Sequence, residues 1–193
     1  MKANNFDALF QTMRIRTPVL LLGAGFSLGA KNERGENIPL GSNLSEKLYN
    51  YFFCSGIPMQ DIDHDLLSKI EKDKSNLKAI CNYLRILNHE KARNKYLTDQ
   101  FTGCQISDTS PQHLLVDYPW SYIFSLNIDD LVERIYHSAG ISLSVWDFSH
   151  PFNNDDPHIT RLVKLHGSVT DSDSGYIFDD EEYRSLHHCH YHR

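Results

Sequence analysis

Cysteine is scarce and unpaired in this sequence: Cys54, Cys81, Cys104 and Cys189 stand far apart, and no two form a C-x-x-C pair. That spacing argues against a structural zinc site, and the thiols read as ordinary core or surface residues that stay reduced in a reducing compartment. Long hydrophobic runs are lacking too. The apolar stretch Val19–Leu22 falls far short of the roughly 20 residues needed to span a membrane. Met1-Lys2-Ala3-Asn4-Asn5 does not lead into a signal-type apolar region, so the cytoplasm is the expected compartment. Basic clusters are also missing. The formal net charge is −6 with acids and bases scattered, and the two arginines within Met13–Arg16 make no patch. A phosphate backbone is gripped by clustered Lys and Arg, so neither nucleic acid nor membrane is an expected partner. There is no internal repeat and no low-complexity tract.

What is present is ordinary globular composition, 40% hydrophobic and 23% charged over 193 residues, enough for one sizeable core. Phe6–Met13 has the pattern of a short amphipathic helix. Pro18 then launches Val19-Leu20-Leu21-Leu22, an unbroken apolar run suited to a central parallel strand covered on both faces. Ser42 or Asn43 is a plausible cap for a helix carrying Leu44, Leu48, Tyr51 and Phe52, which Gly56-Ile57-Pro58 breaks. Leu66, Ile70, Leu77, Ile80, Leu84 and Leu87 form one apolar stripe at helical spacing. Further strands are expected at Tyr122–Leu126, Ile141–Trp146 and Arg161–Leu165, a helix at Leu131–Tyr136, and a turn-rich stretch at Asn153–Pro157. The expected fold class is α/β: a Rossmann-like, mostly parallel sheet wrapped by helices, with a helical insertion over about residues 43–100.

Three motifs directly follow apolar strands, and ligands in such sheets sit beyond the carboxyl ends of strands. Gly23-Ala24-Gly25-Phe26-Ser27, with Gly29 after it, has a G-x-G-x-x-x-G spacing, one residue longer than the dinucleotide fingerprint. It reads either as a phosphate-cradling turn that opens a helix or as a plain strand-to-helix turn. No acid follows on a second strand about twenty residues on, which disfavours an ordinary dehydrogenase. Asn127 and Asp129, two apart at a strand end, can face one ligand and offer a donor and an acceptor to an amide. Turn and cap chemistry by Asp129 or Asp130 is the alternative. His166, between an apolar strand and Gly167, has the chemistry of a general base, since neutral imidazole accepts a proton near cellular pH; the alternative is a hydrogen-bonded structural histidine. His187, His188, His190 and His192 crowd around Cys189, either a metal-binding cluster or an unstructured end. The second is expected.

Together Gly-Ala-Gly-Phe-Ser, Ser125-Leu126-Asn127-Ile128-Asp129-Asp130 and Lys164-Leu165-His166-Gly167 resemble the sirtuin-like superfamily, and within it the NAD-hydrolase domains of bacterial anti-phage defence proteins. The resemblance spans roughly residues 17–186 and includes Ile38-Pro39-Leu40-Gly41. It implies NAD as substrate and no metal. Gly23, Ala24, Gly25, Phe26 and Ser27 would line the phosphates and adjacent ribose, Asn127 would place the nicotinamide riboside and attacking water, Asp129 would hold the carboxamide, and His166 would act as base. Leu126 stands where protein deacylases carry glutamine, and the deacylases' four-cysteine zinc module is lacking, so deacylation is the least expected activity. Hydrolysis of NAD to nicotinamide and ADP-ribose in defence is the expectation, with an inactive NAD or ADP-ribose sensor as the alternative. The family's sheet continues with a further strand and a Gly-x-Ser-type loop, whereas after Gly175–Tyr183 this sequence offers a helix start and the tail. The chain is therefore read as one NAD-binding domain over residues 1–186, C-terminally truncated, with residues 187–193 as a His-rich tail. Family behaviour leaves room for a homo-oligomer and for a phage-derived activator acting through regions not in this chain.

Overall fold

The computed structural model describes residues 18–55, 62–147, 159–171 and 175–190. The helix expected at Phe6–Met13, the break at Gly56–Pro58 and the turn-rich stretch Asn153–Pro157 lie outside them.

The sheet is parallel throughout, with strands β1 (Val19–Leu22), β2 (Tyr122–Ser125), β3 (Leu143–Asp147) and β4 (Thr160–Lys164) in the spatial order β1-β2-β4-β3. In register, Leu22 lies beside Ser125 and Ser125 beside Lys164. The three strands therefore end level, and the loops after them emerge at one edge of the sheet. This is the expected α/β, Rossmann-like class. The place of β1 differs from expectation: it is an edge strand of the described sheet, not a central one, and Val19 and Leu21 are 59% and 64% exposed, so the apolar run is not covered on both faces.

Between β1 and β2 stands the helical insertion. It comprises α1 (Gly41–Tyr49), continued by a π-helical turn at Asn50–Cys54, then α2 (His64–Lys72), α3 (Leu77–Ile86) and α4 (Glu90–Phe101). The apolar stripe read as one helical run is broken into separate helices by local side-chain chemistry. Asp63 accepts a hydrogen bond from Leu66 N at 2.7 Å and Asn76 one from Ala79 N at 3.2 Å, each capping a new helix start. Asn88, at φ 60°, turns the chain out of α3. The N-terminal cap of α1 also differs from expectation: the helix begins at Gly41, so Ser42 and Asn43 lie inside it. A 3-10 segment, Pro111–Asp117, leads into β2, and α5 (Leu131–Ser138) crosses from β2 to β3. After β4 the chain returns to α6 (Asp180–His190). This last helix continues through His187–His190, residues expected to form an unstructured tail.

Two apolar clusters make the core. One is built inside the insertion from Leu48, Phe52, Ile70, Ile80, Leu84 and Leu97, and reaches Ile128 and Leu131. The other packs Leu22, Ile123 and Leu162 of the sheet against Leu115, Val132 and Tyr136. Phe26 and Val116 touch both. Phe26, assigned to the nucleotide by resemblance, is a hinge between the two cores.

The polar tie across the sheet edge is Lys164. Its side chain is fully buried, and Nζ donates to the carbonyls of Asp129 and, at 3.4 Å, Asn127, while pairing with Glu133 at 3.1 Å. Burial pushes the Glu133 carboxyl above its ordinary range, and Lys164 pulls it back. Removing one member strands the other charge in the interior. Lys164→Met is expected to lower unfolding stability by roughly 3–5 kcal/mol in urea melts, and Lys164→Met/Glu133→Leu to recover part of that loss. Recovery stays incomplete because two backbone carbonyls still lose their donor. Gly167 is a second fixed point: its φ is +90°, and a Cβ there would lie 2.4 Å from the Gly175 carbonyl oxygen. Gly167→Ala should cost at least about 2 kcal/mol. Gly23→Ala, at φ −120° with nothing within 4 Å of the added carbon, should melt like the parent chain.

Candidate functional site

Beyond the ends of β1, β2 and β4 an open cavity of about 270 Å³ has a polar floor made by Ala24, Ser27, Asn127, Asp129 and His166. Its wall is apolar: Ile38, Pro39 and Leu40 from the segment leading into the insertion and Leu44 and Phe101 from the insertion itself, completed by Phe178 ahead of α6. Five of the eight residues singled out in the sequence thus share one cavity. Gly23 contributes a carbonyl to its frame, and Gly25 and Phe26 stand outside the lining.

The frame is a hydrogen-bonded knot of three loops. Ser27 Oγ donates to Asp129 Oδ2 at 2.6 Å, and Asn127 Nδ2 donates to Ser27 Oγ at 3.0 Å and to the Gly23 carbonyl at 3.1 Å. Residues 126–128 have left the strand, so Asn127 and Asp129 converge through a turn and not through strand alternation. Ser125 Oγ supports that turn by accepting from Asn127 N at 3.1 Å. The cap and ligand readings divide between the two aspartates. Asp129 Oδ1 accepts from Leu131 N at 3.2 Å, close to the helix start, while its other oxygen faces Ser27. Asp130 occupies the cap position of α5 but spends its carboxylate on Gly103 N at 2.9 Å and Cys104 N at 2.8 Å, tying the insertion's exit to β2.

The glycine turn departs from expectation. Ala24–Ser27 is a single 3-10 turn, and Leu28 after it is extended, so no α-helix N-terminus follows the fingerprint. The α-helix whose start meets the cavity is α1: Gly41 lines it, with no side chain capping the helix. Gly23 and Gly25 have no neighbouring heavy atom within 4 Å of an added Cβ, so their small size leaves room that the fold itself does not need.

His166 is half-buried at the turn after β4. Burial lowers its pKa below the ordinary histidine value, partly opposed by a hydrogen bond to the Leu126 backbone. Its Nε2 lies 2.5 Å from the Tyr183 hydroxyl of α6, with the two rings edge to face at 5.7 Å. The His166 carbonyl accepts from Ile177 N at 3.1 Å, which holds the turn against the segment leading to α6. Sequence reasoning missed Lys164, Phe178 and Tyr183. A lysine inside an apolar strand was the available signal for the first; nothing local marks the other two, because the chain returns to His166 only in three dimensions.

A larger cavity of about 650 Å³ lies between α5 and the loop after α4, lined by Asp108, His113, Arg134 and His137 among others; of the motif residues it takes Asp130, and none of the eight residues assigned to NAD. Among the described residues, no group of three or more His, Cys, Asp or Glu side chains is arranged to hold a metal ion. No helix among them is long and apolar enough to cross a membrane.

No curated protein matches the chain. The model of the SIR2-like domain family matches residues 121–192. That stretch carries Asn127, Asp129, Lys164, His166 and Tyr183 and includes the histidine-rich end, while the glycine turn and the insertion lie before it. The match supports a sirtuin-like assignment and, in general terms, chemistry on NAD.

Proposed function

We propose that this chain hydrolyses NAD to nicotinamide and ADP-ribose. The observation that carries the reading is the convergence of Ser27, Asn127, Asp129 and His166, from three separate loops, on one cavity with an apolar wall. Flat aromatic nicotinamide fits such a wall, and its carboxamide offers both a donor and an acceptor. In the knot described above, Asn127 uses its Nδ2 on the protein, which leaves Oδ1 for a ligand or a water. Asp129 retains unused acceptor capacity beside it.

The leaving group in this reaction already bears positive charge, so breaking the glycosidic bond needs little covalent help. The transition state has oxocarbenium character, and placement, exclusion of water and a proton acceptor govern the rate. His166 serves as that acceptor, taking a proton from the attacking water or a ribose hydroxyl. The resemblance further suggests a cytoplasmic effector of anti-phage defence, NAD depletion being its output and a phage-derived component or self-assembly its trigger.

A second reading, an NAD or ADP-ribose sensor without turnover, has one observation in its favour: the Tyr183 hydroxyl covers His166 Nε2, the nitrogen a general base would use. Free nicotinamide released from NAD by the purified protein separates the two. Thermal stabilisation by NAD with no release at high enzyme concentration would establish the sensor instead.

His166→Ala is expected to reduce turnover by about 10²–10⁴-fold while the chain stays folded, its melting temperature lowered slightly by loss of the contacts with Tyr183 and Phe178. Asn127→Ala should be as damaging to turnover and also lower stability slightly, since it removes the two hydrogen bonds to Gly23 and Ser27. Because burial depresses the His166 pKa, the base is neutral above that depressed value, and activity is lost as pH falls through it. The acid limb of kcat/KM should therefore lie below the ordinary histidine value of about 6.5. Stability has the same sign: the contribution of His166 is present above the unfolded-state value and lost as pH falls through the folded one. A limb at or above 6.5 would remove His166 from the role of base.

A further inference from the structure

We propose that Tyr183 works as a unit with His166, its hydroxyl holding the imidazole in one orientation and passing on to Nε2 the proton that the base takes up. This rests on the reading of His166 as the base. The two groups are 17 positions apart in sequence and belong to different elements, and their contact depends on how the first turn of α6 is fixed.

That turn is held from several sides. Glu182 accepts from Phe178 N at 2.7 Å and Asp179 N at 2.9 Å through Oε2, and its Oε1 pairs at 2.5 Å with the guanidinium of Arg93, a fully buried side chain on α4. Asp179 accepts from Glu181 N and Glu182 N, both at 2.9 Å, and pairs with Arg85 of α3 at 2.8 Å. Burial acts to raise the Asp179 carboxyl, but these hydrogen bonds and Arg85 outweigh it and hold the group below the usual carboxylate range. Lys78 of α3 pairs with Asp180. Tyr183 is the next residue after this cluster, so the helical insertion sets where its hydroxyl stands.

The hydrogen-bonding arithmetic defines the role. In the neutral ring one nitrogen donates and the other accepts. Leu126 offers only a backbone carbonyl, so the nitrogen facing it carries the proton, and Nε2 accepts from the Tyr183 hydroxyl. Nε2 is the one basic nitrogen and the phenol covers it, so a proton from water or a ribose hydroxyl reaches it through Tyr183. The O–H passes its proton to Nε2 while the phenol oxygen takes the incoming one, and both ring nitrogens become donors. The Leu126 carbonyl and the Tyr183 oxygen then serve as the two acceptors, the phenol turning from donor to acceptor. An N–H of the imidazolium donating to that oxygen is a charge-assisted bond, stronger than the neutral bond it replaces. Tyr183 thus stabilises the product of proton uptake more than the resting base. The charged groups facing the pair are Asp129 across the cavity floor, Lys78 of α3 and Glu182 of α6.

The test is the titration of His166 followed by NMR of nitrogen-15-labelled imidazole in the full chain, with Tyr183→Phe and Tyr183→Ala beside the parent. Tyr183→Phe keeps the ring packed edge to face on His166 and removes only the hydroxyl. Both variants are expected to shift the His166 midpoint downward by roughly half a unit to one unit and to mix the two neutral tautomers. With NAD, Tyr183→Phe should lower kcat by about 10- to 100-fold with KM little changed. Phenylalanine titrating like the parent while alanine alone shifts would reduce Tyr183 to a packing residue and overturn the proposal, as would an upward shift in Tyr183→Phe. Because the titration is read without substrate, a parent chain that shows the tyrosine-dependent shift but no NAD turnover refutes the hydrolase reading and leaves the pairing standing.

Discussion

A buried ammonium holds the functional edge of this molecule together. Lys164 ends β4, yet its Nζ reaches across to the carbonyls of Asn127 and Asp129 after β2 and to Glu133 on α5. A charge with no water around it tolerates little displacement, because every acceptor it loses leaves it unsolvated. The turn bearing Asn127 and Asp129 is thereby pinned to the strand that delivers His166. Apolar packing alone would not impose that register, since hydrophobic burial is non-directional. Loops tolerate motion unless something directional fixes them, and here the directional term sits beneath the site instead of in it.

The helical insertion does two jobs that neither its sequence position nor its amphipathic stripe announces. Its start, with the segment leading into it, supplies the apolar wall of the cavity through Ile38, Pro39, Leu40 and Leu44. Its later helices present Arg85 and Arg93 to the acidic first turn of α6, and so bring Phe178 and Tyr183 to the mouth of the site. The segment between β1 and β2 and the segment after β4 are therefore one construction. The cavity exists because the two meet over the sheet edge.

Much of the fold was legible from pattern. Unbroken apolar runs gave the parallel strands, and the alternation of strands and helices gave the α/β class. Ser27, Asn127, Asp129 and His166 were recoverable as candidates because each follows a strand, where open parallel sheets gather their ligands. Other inferences failed for local reasons. The apolar stripe from Leu66 to Leu87 did not reveal Asp63, Asn76 and Asn88 as boundaries, because short polar side chains that bond their own backbone override periodicity. The glycine motif suggested a helix start, yet the chain makes one 3-10 turn and then extends at Leu28. Phe26, which the resemblance sets against the nucleotide, also joins the two apolar clusters, a role that no local pattern announces.

The sequence by itself determined which elements form and in what order, because backbone propensity and hydrophobic period act over a few residues. It also set the chemical types available at the strand ends. Only the tertiary structure decided that Lys164 would be a buried clamp, that Asp130 would bind Gly103 and Cys104 while Asp129 faced the cavity, and that Tyr183 would meet His166. Those outcomes depend on contacts between residues far apart along the chain. Their free energies are set by the solvation each group loses when the distant segments close, and no local window of sequence contains that quantity.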